Sequence, residues 1–298
     1  MIDKLGYLVA VARERGFRRA AEACGVAQPT LSAGIKALEA ELGVALVNRS
    51  SRFLGMTPEG EKAVAWGQRM LNDARAMRQE LQAARGGLVG HLRIAVVPTA
   101  LALVPALTLA CLRRHPGMRF TVLSHTSAAI IDMLGNFEAD AGITYIGNEP
   151  LGRLRSVPLS TERYRLVVPV GSPWAGRPSV GWAELAGQSL CLLTPDMQNR
   201  RIMDQLMQQA GVEPAATVES NSIVSLIAHV RSGGWMTVLP DSVANTLGAA
   251  AGLHAIPLTA PEAEYRIGLV VPPLDPPPPL TAALLAAARE ASGQAEGG

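Results

Sequence analysis

The chain has 298 residues, enough for two domains that each bury a core without disulfide or metal staples. Apolar residues make up 48% and charged residues 17%, a balance that excludes a disordered chain. The net charge of +2 conceals a split, since residues 1–85 hold 13 Lys and Arg against 9 Asp and Glu and the remainder 14 against 16. A basic N-terminal part and a mildly acidic larger part point to two modules with different partners. Three scattered cysteines, Cys24, Cys111 and Cys191, offer neither a disulfide framework nor a CxxC pair. No segment approaches the roughly 18 apolar residues of a membrane span. With Asp3 near the start and Arg13 and Glu14 closing the first apolar segment, a secretory leader does not fit. A soluble cytoplasmic protein without a membrane partner is expected.

In chain order, Leu5, Leu8, Val9 and Ala12 fall at helical spacing. After Gly16, a short helix runs from Phe17 to a stop at Gly25. A third helix starts at Gln28-Pro29, where proline suits the first turn because its missing N–H has no intrahelical partner. Its apolar stripe is Leu31, Ile35, Leu38 and Leu42, and its other face leads with Gln28, Thr30, Ser32, Ala33 and Lys36. Short helix, glycine turn and longer helix with small polar residues in front make the pattern of a helix-turn-helix. Val44–Met56 reads as two short strands around Asn48–Arg52, a small wing carrying two arginines. Thr57-Pro58 then opens a long helix, with Thr57 as cap and Glu59 and Glu61 on the positive end of the dipole. Its stripe of Trp66, Met70, Ala74, Met77, Leu81, Ala84 and Leu88 fits either a pairing seam or a face packed on its own domain. Gly86, Gly87 and Gly90 mark a hinge.

Beyond the hinge, strands alternate with helices. Strands are expected at Leu92–Val97, Arg119–Ser124 and Ala141–Ile146, then, after a connecting segment, at Arg165–Val170, Ser189–Leu193, Trp235–Leu239 and Arg266–Val271. Helices fall at Ala102–His115, Ser127–Phe137, Asn199–Ala210 and Ser222–Arg231, and another follows the proline-rich turn Pro272–Pro279. The alternation predicts an α/β domain with mostly parallel sheets, as one sheet or two small lobes.

A helix-turn-helix reads DNA with the N-terminal residues of its second helix. Gln28 can serve adenine bidentately, while Pro29, Thr30 and Ser32 stand at the helix start within reach of bases or phosphates. Arg18 and Arg19, placed ahead of the motif's first helix, join Lys36 and the wing arginines Arg49 and Arg52 in a positive crescent suited to phosphates. The alternative is a three-helix bundle with solvated charges.

These same residues resemble the LysR-type transcriptional regulators. The resemblance rests on Phe17–Glu22, on Gln28-Pro29-Thr30-Leu31-Ser32 and on Ile35–Val44. Asn48-Arg49, Thr57-Pro58-Glu59-Gly60 and Leu92-Arg93-Ile94 extend it along the chain. It implies an all-α winged helix-turn-helix over residues 1–57 and a dimerising linker helix and hinge over 58–90. A two-lobed effector domain similar to periplasmic binding proteins would follow over 91–298. Lobe I would hold about 91–163 and 267–298, and lobe II about 164–266. It further implies homodimers that associate into homotetramers on double-stranded promoter DNA, with a small metabolite between the lobes and no other cofactor. Two departures stand out. Ala27 occupies a position where many members have a capping serine, a change worth on the order of 1 kcal/mol. Ala33-Gly34 stands where many members carry a large polar residue.

Thr99, Ser127, Asn199 and Asn221-Ser222 stand where a strand or loop gives way to a helix. Several converging helix N-termini make an anion site, although each residue can equally be a plain cap. The resemblance favours Thr99, Ser127 and Asn199 as effector contacts, while Asn221 rests on its position alone, as do Thr144 and Tyr145 at a strand end. A small organic acid or similar anion is the expected effector. Catalysis finds little support: His91, His115, His125, His229 and His254 lack metal-ligand spacing, and no GxSxG, Walker loop or post-strand GxGxxG occurs. A ligand-responsive transcription factor is favoured over a cytoplasmic small-molecule-binding protein without transcriptional role and over an α/β enzyme.

Overall fold

The helical spacing between Ile2 and Leu42 is realised as three helices, α1 (Ile2–Glu14), α2 (Phe17–Cys24) and α3 (Gln28–Leu42). The structure is a computed structural model that describes residues 1–49, 53–147, 150–247 and 252–295, in two units, Met1–Gly86 and Gly87–Gly298. In the first unit Leu5, Leu8, Val11, Leu31, Ile35 and Leu38 are buried around one small core. Gly25 and Gly43 stop α2 and α3 at φ of 66° and 70°, a left-handed geometry that glycine adopts without strain. Gly34 has a different reason to be glycine. A Cβ there would lie 2.6 Å from the ring of Tyr7 on α1.

Strands β1 (Val47–Arg49) and β2 (Phe53–Met56) pair antiparallel after α3, and α4 (Pro58–Gly86) follows them. Thr57 fixes the junction. Its Oγ1 donates to the Ala45 carbonyl (2.7 Å) and accepts from the Gly60 amide (2.9 Å), which caps α4. The backbones meet so closely there that a Cβ on Gly60 would lie 1.9 Å from the Leu46 oxygen. One flank of α4 packs on α1, where Leu5 and Val9 lie against Gly67. The apolar stripe faces elsewhere: Trp66 is 61% and Leu81 62% exposed, with Met70 and Met77 also exposed, so the stripe is not a core face of this unit. The helix ends at Gly86, and Leu88 packs instead on the core of the second unit.

The second unit is built on two sheets. The first has the order β4-β3-β5-β13-β6, from β3 (Val89–Val96), β4 (Gly117–Ser124), β5 (Ala141–Tyr145), β6 (Arg155–Glu162) and β13 (Tyr265–Val271). A 3-10 turn (Pro98–Leu103), α5 (Val104–Arg114), α6 (Ser127–Gly135) and α10 (Pro279–Ala295) accompany it. The second sheet has the order β11-β7-β12-β8, from β7 (Tyr164–Pro169), β8 (Val180–Gly181), β11 (Thr237–Pro240) and β12 (Leu253–Thr259). A small parallel pair, β9 (Cys191–Leu193) and β10 (Val218–Ser220), adjoins it through a bridge between Leu190 and Met236. Helices α7 (Gln198–Gln209), α8 (Ile223–Arg231) and α9 (Asp241–Leu247) and a 3-10 turn (Trp182–Leu185) complete this lobe.

The expectation of mostly parallel sheets needs correction. β3 runs parallel to β4 and β5, but β13 is antiparallel to β5 and β6, and β7 is antiparallel to β11 and β12. Parallel pairing needs a crossover, and helices supply it in the stretch from β3 to β5 and, through α7, between β9 and β10. At the lobe boundary no helix intervenes. The chain passes from β6 to β7 through Arg163 alone and returns from β12 to β13 through residues 260–264. The segment read as a connection before Arg165 is therefore a full strand, β6.

Candidate functional site

Helix α3 places the expected DNA-reading residues at its N-terminal end. Gln28, Pro29, Thr30 and Lys36 are exposed and Ser32 is half-buried, while Leu31, Ile35 and Leu38 anchor the opposite face in the core. Gln28, Thr30 and Lys36 have no side-chain hydrogen-bond partner among the described residues. Arg18 and Arg19 lie inside α2 rather than ahead of it. Both are exposed, Arg18 donating to Glu22 (3.2 Å) and Arg19 to the Glu14 carbonyl at the end of α1. Ala27 gives α3 no side-chain cap. Glu39 ties α3 to the hairpin, its Oε1 accepting from the Leu46 (3.0 Å) and Val47 (3.2 Å) amides. Asn48 closes the hairpin by donating to the Met56 carbonyl (3.0 Å), and Arg49 ends β1. Arg52 lies outside the described residues. A reading helix and a wing are thus locked together by one carboxylate.

In the second unit, a buried polar cluster joins the two lobes. Thr99, in the 3-10 turn after β3, and Tyr145, at the end of β5, place Oγ1 and the phenol 3.3 Å apart. Tyr145 donates to Glu162 Oε2 (2.9 Å), which closes β6. From the other lobe, Asn199 Nδ2 donates to the hydroxyls of Tyr145 and Tyr164, each at 3.3 Å. Beside them Thr144 donates to Ser127 Oγ (2.8 Å). All of these side chains are buried, and Glu162 is only 1% exposed. Glu162 Oε1 and Asn199 Oδ1 are buried without a hydrogen-bond partner among the described residues.

Burial pushes the Glu162 carboxyl up to about 8, against the lowering effect of the bond from Tyr145. At neutral pH it therefore keeps its proton. Burial first, and the charge on Glu162 second, hold the Tyr145 phenol far above its ordinary range.

Thr99, Ser127 and Asn199 thus fall in or beside one cluster, but not as helix caps. Thr126 caps α6, accepting from Ala129, and Ser222 caps α8, accepting from Ser225. Asn199 is in the first turn of α7, which has no side-chain cap. Asn221 is exposed and takes no part in the cluster. Glu162 and Tyr164 were missed by sequence reasoning; the β6 segment is half exposed and interrupted by Pro158, and its apolar alternation is confined to Val157 and Leu159. Among the described residues no group of three His, Cys, Asp or Glu side chains is placed to hold a metal.

A DNA-reading helix-turn-helix with a wing, followed by a two-lobed domain with a polar cluster between its lobes, defines a ligand-responsive DNA-binding regulator. Residues 2–61 match the model of the bacterial regulatory helix-turn-helix proteins of the lysR family, and residues 85–293 match the LysR substrate binding domain. The chain belongs to the LysR-type transcriptional regulators. It is 30% identical over 279 residues to the hydrogen peroxide-inducible genes activator of Dickeya chrysanthemi, covering 92% of this chain and 90% of that protein. A full-length OxyR cysteine variant from Pseudomonas aeruginosa is 29% identical, with a TM-score of 0.75 over 97% of each chain. Full-length CbnR complexed with its target DNA shares the fold at 23% identity, TM-score 0.66, over 98% of this chain and 99% of that one. The chain is a DNA-binding regulator of transcription with an effector-binding domain.

Proposed function

We propose that residues 1–57 read double-stranded promoter DNA, that residues 58–90 pair two copies of the chain, and that residues 91–298 bind a small anion between lobe I (about 91–163 and 267–298) and lobe II (about 164–266). The regulator acts in the cytoplasm and carries out no catalytic step. The carrying observation is the cluster around Tyr145, where Asn199 of lobe II meets Thr99 and Glu162 of lobe I. While Oε2 accepts from Tyr145, Glu162 Oε1 is buried without a hydrogen-bond partner among the described residues, a polar atom open to a ligand. The uncapped start of α7 adds free N–H groups beside it. Pairing is supported by the exposed stripe of Trp66, Met70, Met77 and Leu81, a seam that needs a second helix. Association of pairs into a homotetramer is supported by a second exposed apolar face in lobe I, where Leu101, Leu112 and Val122 line one open groove.

Binding of DNA from upstream of the chain's own gene, with and without small carboxylates, tests this reading. We expect affinity to fall steeply with salt and a carboxylate to change the DNA contacts in wild type but not in Thr99→Val. Equal responses in both would remove Thr99 from the effector site.

The names of the relatives suggest a second reading, a peroxide response through thiols. The cysteines oppose it. Cys111 and Cys191 are buried and Cys24 is half-buried. Burial raises all three thiols, that of Cys191 to about 11, whereas reactive cysteines are exposed thiolates. Thiol counting after mild peroxide treatment should find all three cysteines reduced; oxidation of any, coupled to a change in DNA binding, would reinstate the peroxide reading.

A further inference from the structure

Lobe I carries a groove that serves neither the polar cluster nor the pairing seam of α4. It lies between α5 and α10, which pack side by side on the first sheet, and encloses about 350 Å³. Four alanines make its floor, Ala106 and Ala110 one turn apart on α5 and Ala287 and Ala291 one turn apart on α10. Leu109 stands at its rim, 50% exposed. The rest of the lining is charged. Arg114 commits its fork to Glu290, with each terminal nitrogen 2.8 Å from a carboxylate oxygen. Arg113 is exposed and has no hydrogen-bond or ion-pair partner among the described residues. Two arginines against one carboxylate leave the groove with a net charge of +1.

A solvated helix face carries polar side chains, yet this flank of α5 shows Ala106, Leu109 and Ala110 before it reaches Arg113. Facing rows of alanine form a trough in which the ridge of a third helix can settle, because nothing beyond Cβ holds it off. Ala106 to Arg113 spans roughly 10 Å along α5, so two turns of a partner helix suffice. Charge fixes the sign of that partner. A basic segment is repelled, and an uncharged one would shut the Arg113 guanidinium away from water without a counter-charge, whereas a carboxylate can meet it bidentately. We propose that the groove is a docking surface for a short acidic amphipathic helix of another protein, which lays leucine-sized side chains on the alanine floor and pairs a carboxylate with Arg113. This is recognition of a helix by a groove, its apolar anchors one turn apart and its acid near the end of the row. The groove shares no lining residue with that of Leu101, Leu112 and Val122 on the other flank of α5.

The test uses the full-length protein and dye-labelled synthetic helical peptides of about 16 residues, a length at which alanine-rich helices form. The first carries leucines at helical spacing on one face, flanked by glutamates. The second has lysine for every glutamate, and the third has alanine for every leucine. Fluorescence anisotropy should show saturable binding of the acidic peptide and roughly tenfold weaker binding of the other two. Arg113→Glu should exchange partners, losing the acidic peptide by about the same factor and gaining the lysine one. Ala106→Trp, which fills the trough and leaves Arg113 in place, should lose the acidic peptide equally. Both positions are exposed, so melting and operator binding should stay at their wild-type values. No binding of the acidic peptide, equal binding of the lysine peptide by wild type, or binding that survives both substitutions overturns the proposal. Light scattering over a range of protein concentrations should give the same mass for wild type and Ala106→Trp; a lower mass in the variant assigns the groove to a second copy of the chain and also overturns it.

Discussion

On helix α3 the polar side chains Gln28, Thr30 and Lys36 stand in solvent without partners in the described chain, whereas Thr99, Tyr145, Glu162 and Asn199 are sealed from solvent and bonded to one another. The first arrangement separates stability from function. An exposed residue aimed at DNA can be exchanged at little cost to folding, because no buried partner is left unsatisfied. The second arrangement binds the two together, since removing any member orphans another in a low-dielectric interior. One unit carries these polar side chains on its surface, the other within its core.

The sharpest break in this contrast is a position where the DNA-reading unit depends on its interior. Gly60→Val would drive a side chain into the Leu46 carbonyl and separate the hairpin from α4. We expect a loss of about 3 kcal/mol or more in the first unit, with all DNA binding gone and carboxylate binding by the second unit kept. Calorimetry with two resolved transitions checks it, and a single unchanged profile would refute the close approach. Next in size, Tyr145→Phe removes the hydroxyl that Thr99, Glu162 and Asn199 share. About 2–3 kcal/mol of stability in the second unit should go, together with the effector response.

Glu162→Gln comes third. In wild type the folded carboxyl holds a proton between pH 4.5 and about 8 that the unfolded chain has released. Its contribution is therefore complete below pH 4.5 and is lost as pH rises through that window, by up to about 1.4 kcal/mol per pH unit, levelling off above it. The glutamine variant should flatten that slope in denaturant titrations at several pH values. An anionic effector should also bind wild type more weakly above pH 8, where the carboxylate repels it, and the variant equally on both sides. The smallest effects belong to α3. Gln28→Ala should narrow discrimination at one base pair by about 1–3 kcal/mol with no change in melting, and Lys36→Ala should weaken all sequences alike while reducing the salt slope by about 1. Equal losses on operator and random DNA from Gln28→Ala would remove it from base reading.

The same contrast decides what was legible in the sequence. The reading helix announces itself, since Pro29 starts it, Gly43 stops it, and Leu31, Ile35 and Leu38 mark its inner face by spacing alone. The α/β alternation was equally plain, and Thr99, Ser127 and Asn199 could be selected because they stand at helix starts. Their partners could not. Glu162 sits at the end of a strand half of whose residues are exposed, and its hydrogen-bond partner Tyr145 lies 17 positions away. Antiparallel pairing of β13 with β5 and β6 likewise depends on a chain return that no local pattern encodes. Asn221 shows the converse. It resembles a cap in sequence, but its neighbour Ser222 does the capping and leaves it in solvent.

Gly34, pinned beneath the Tyr7 ring, divides the outer surface of α3 into fixed and free positions. Enlarging residue 34 would push the Tyr7 ring aside, whereas Ala33, Ala37 and Ala40 are exposed. The outer face of the helix thus holds three positions that can take larger side chains while the scaffold beneath them stays as it is.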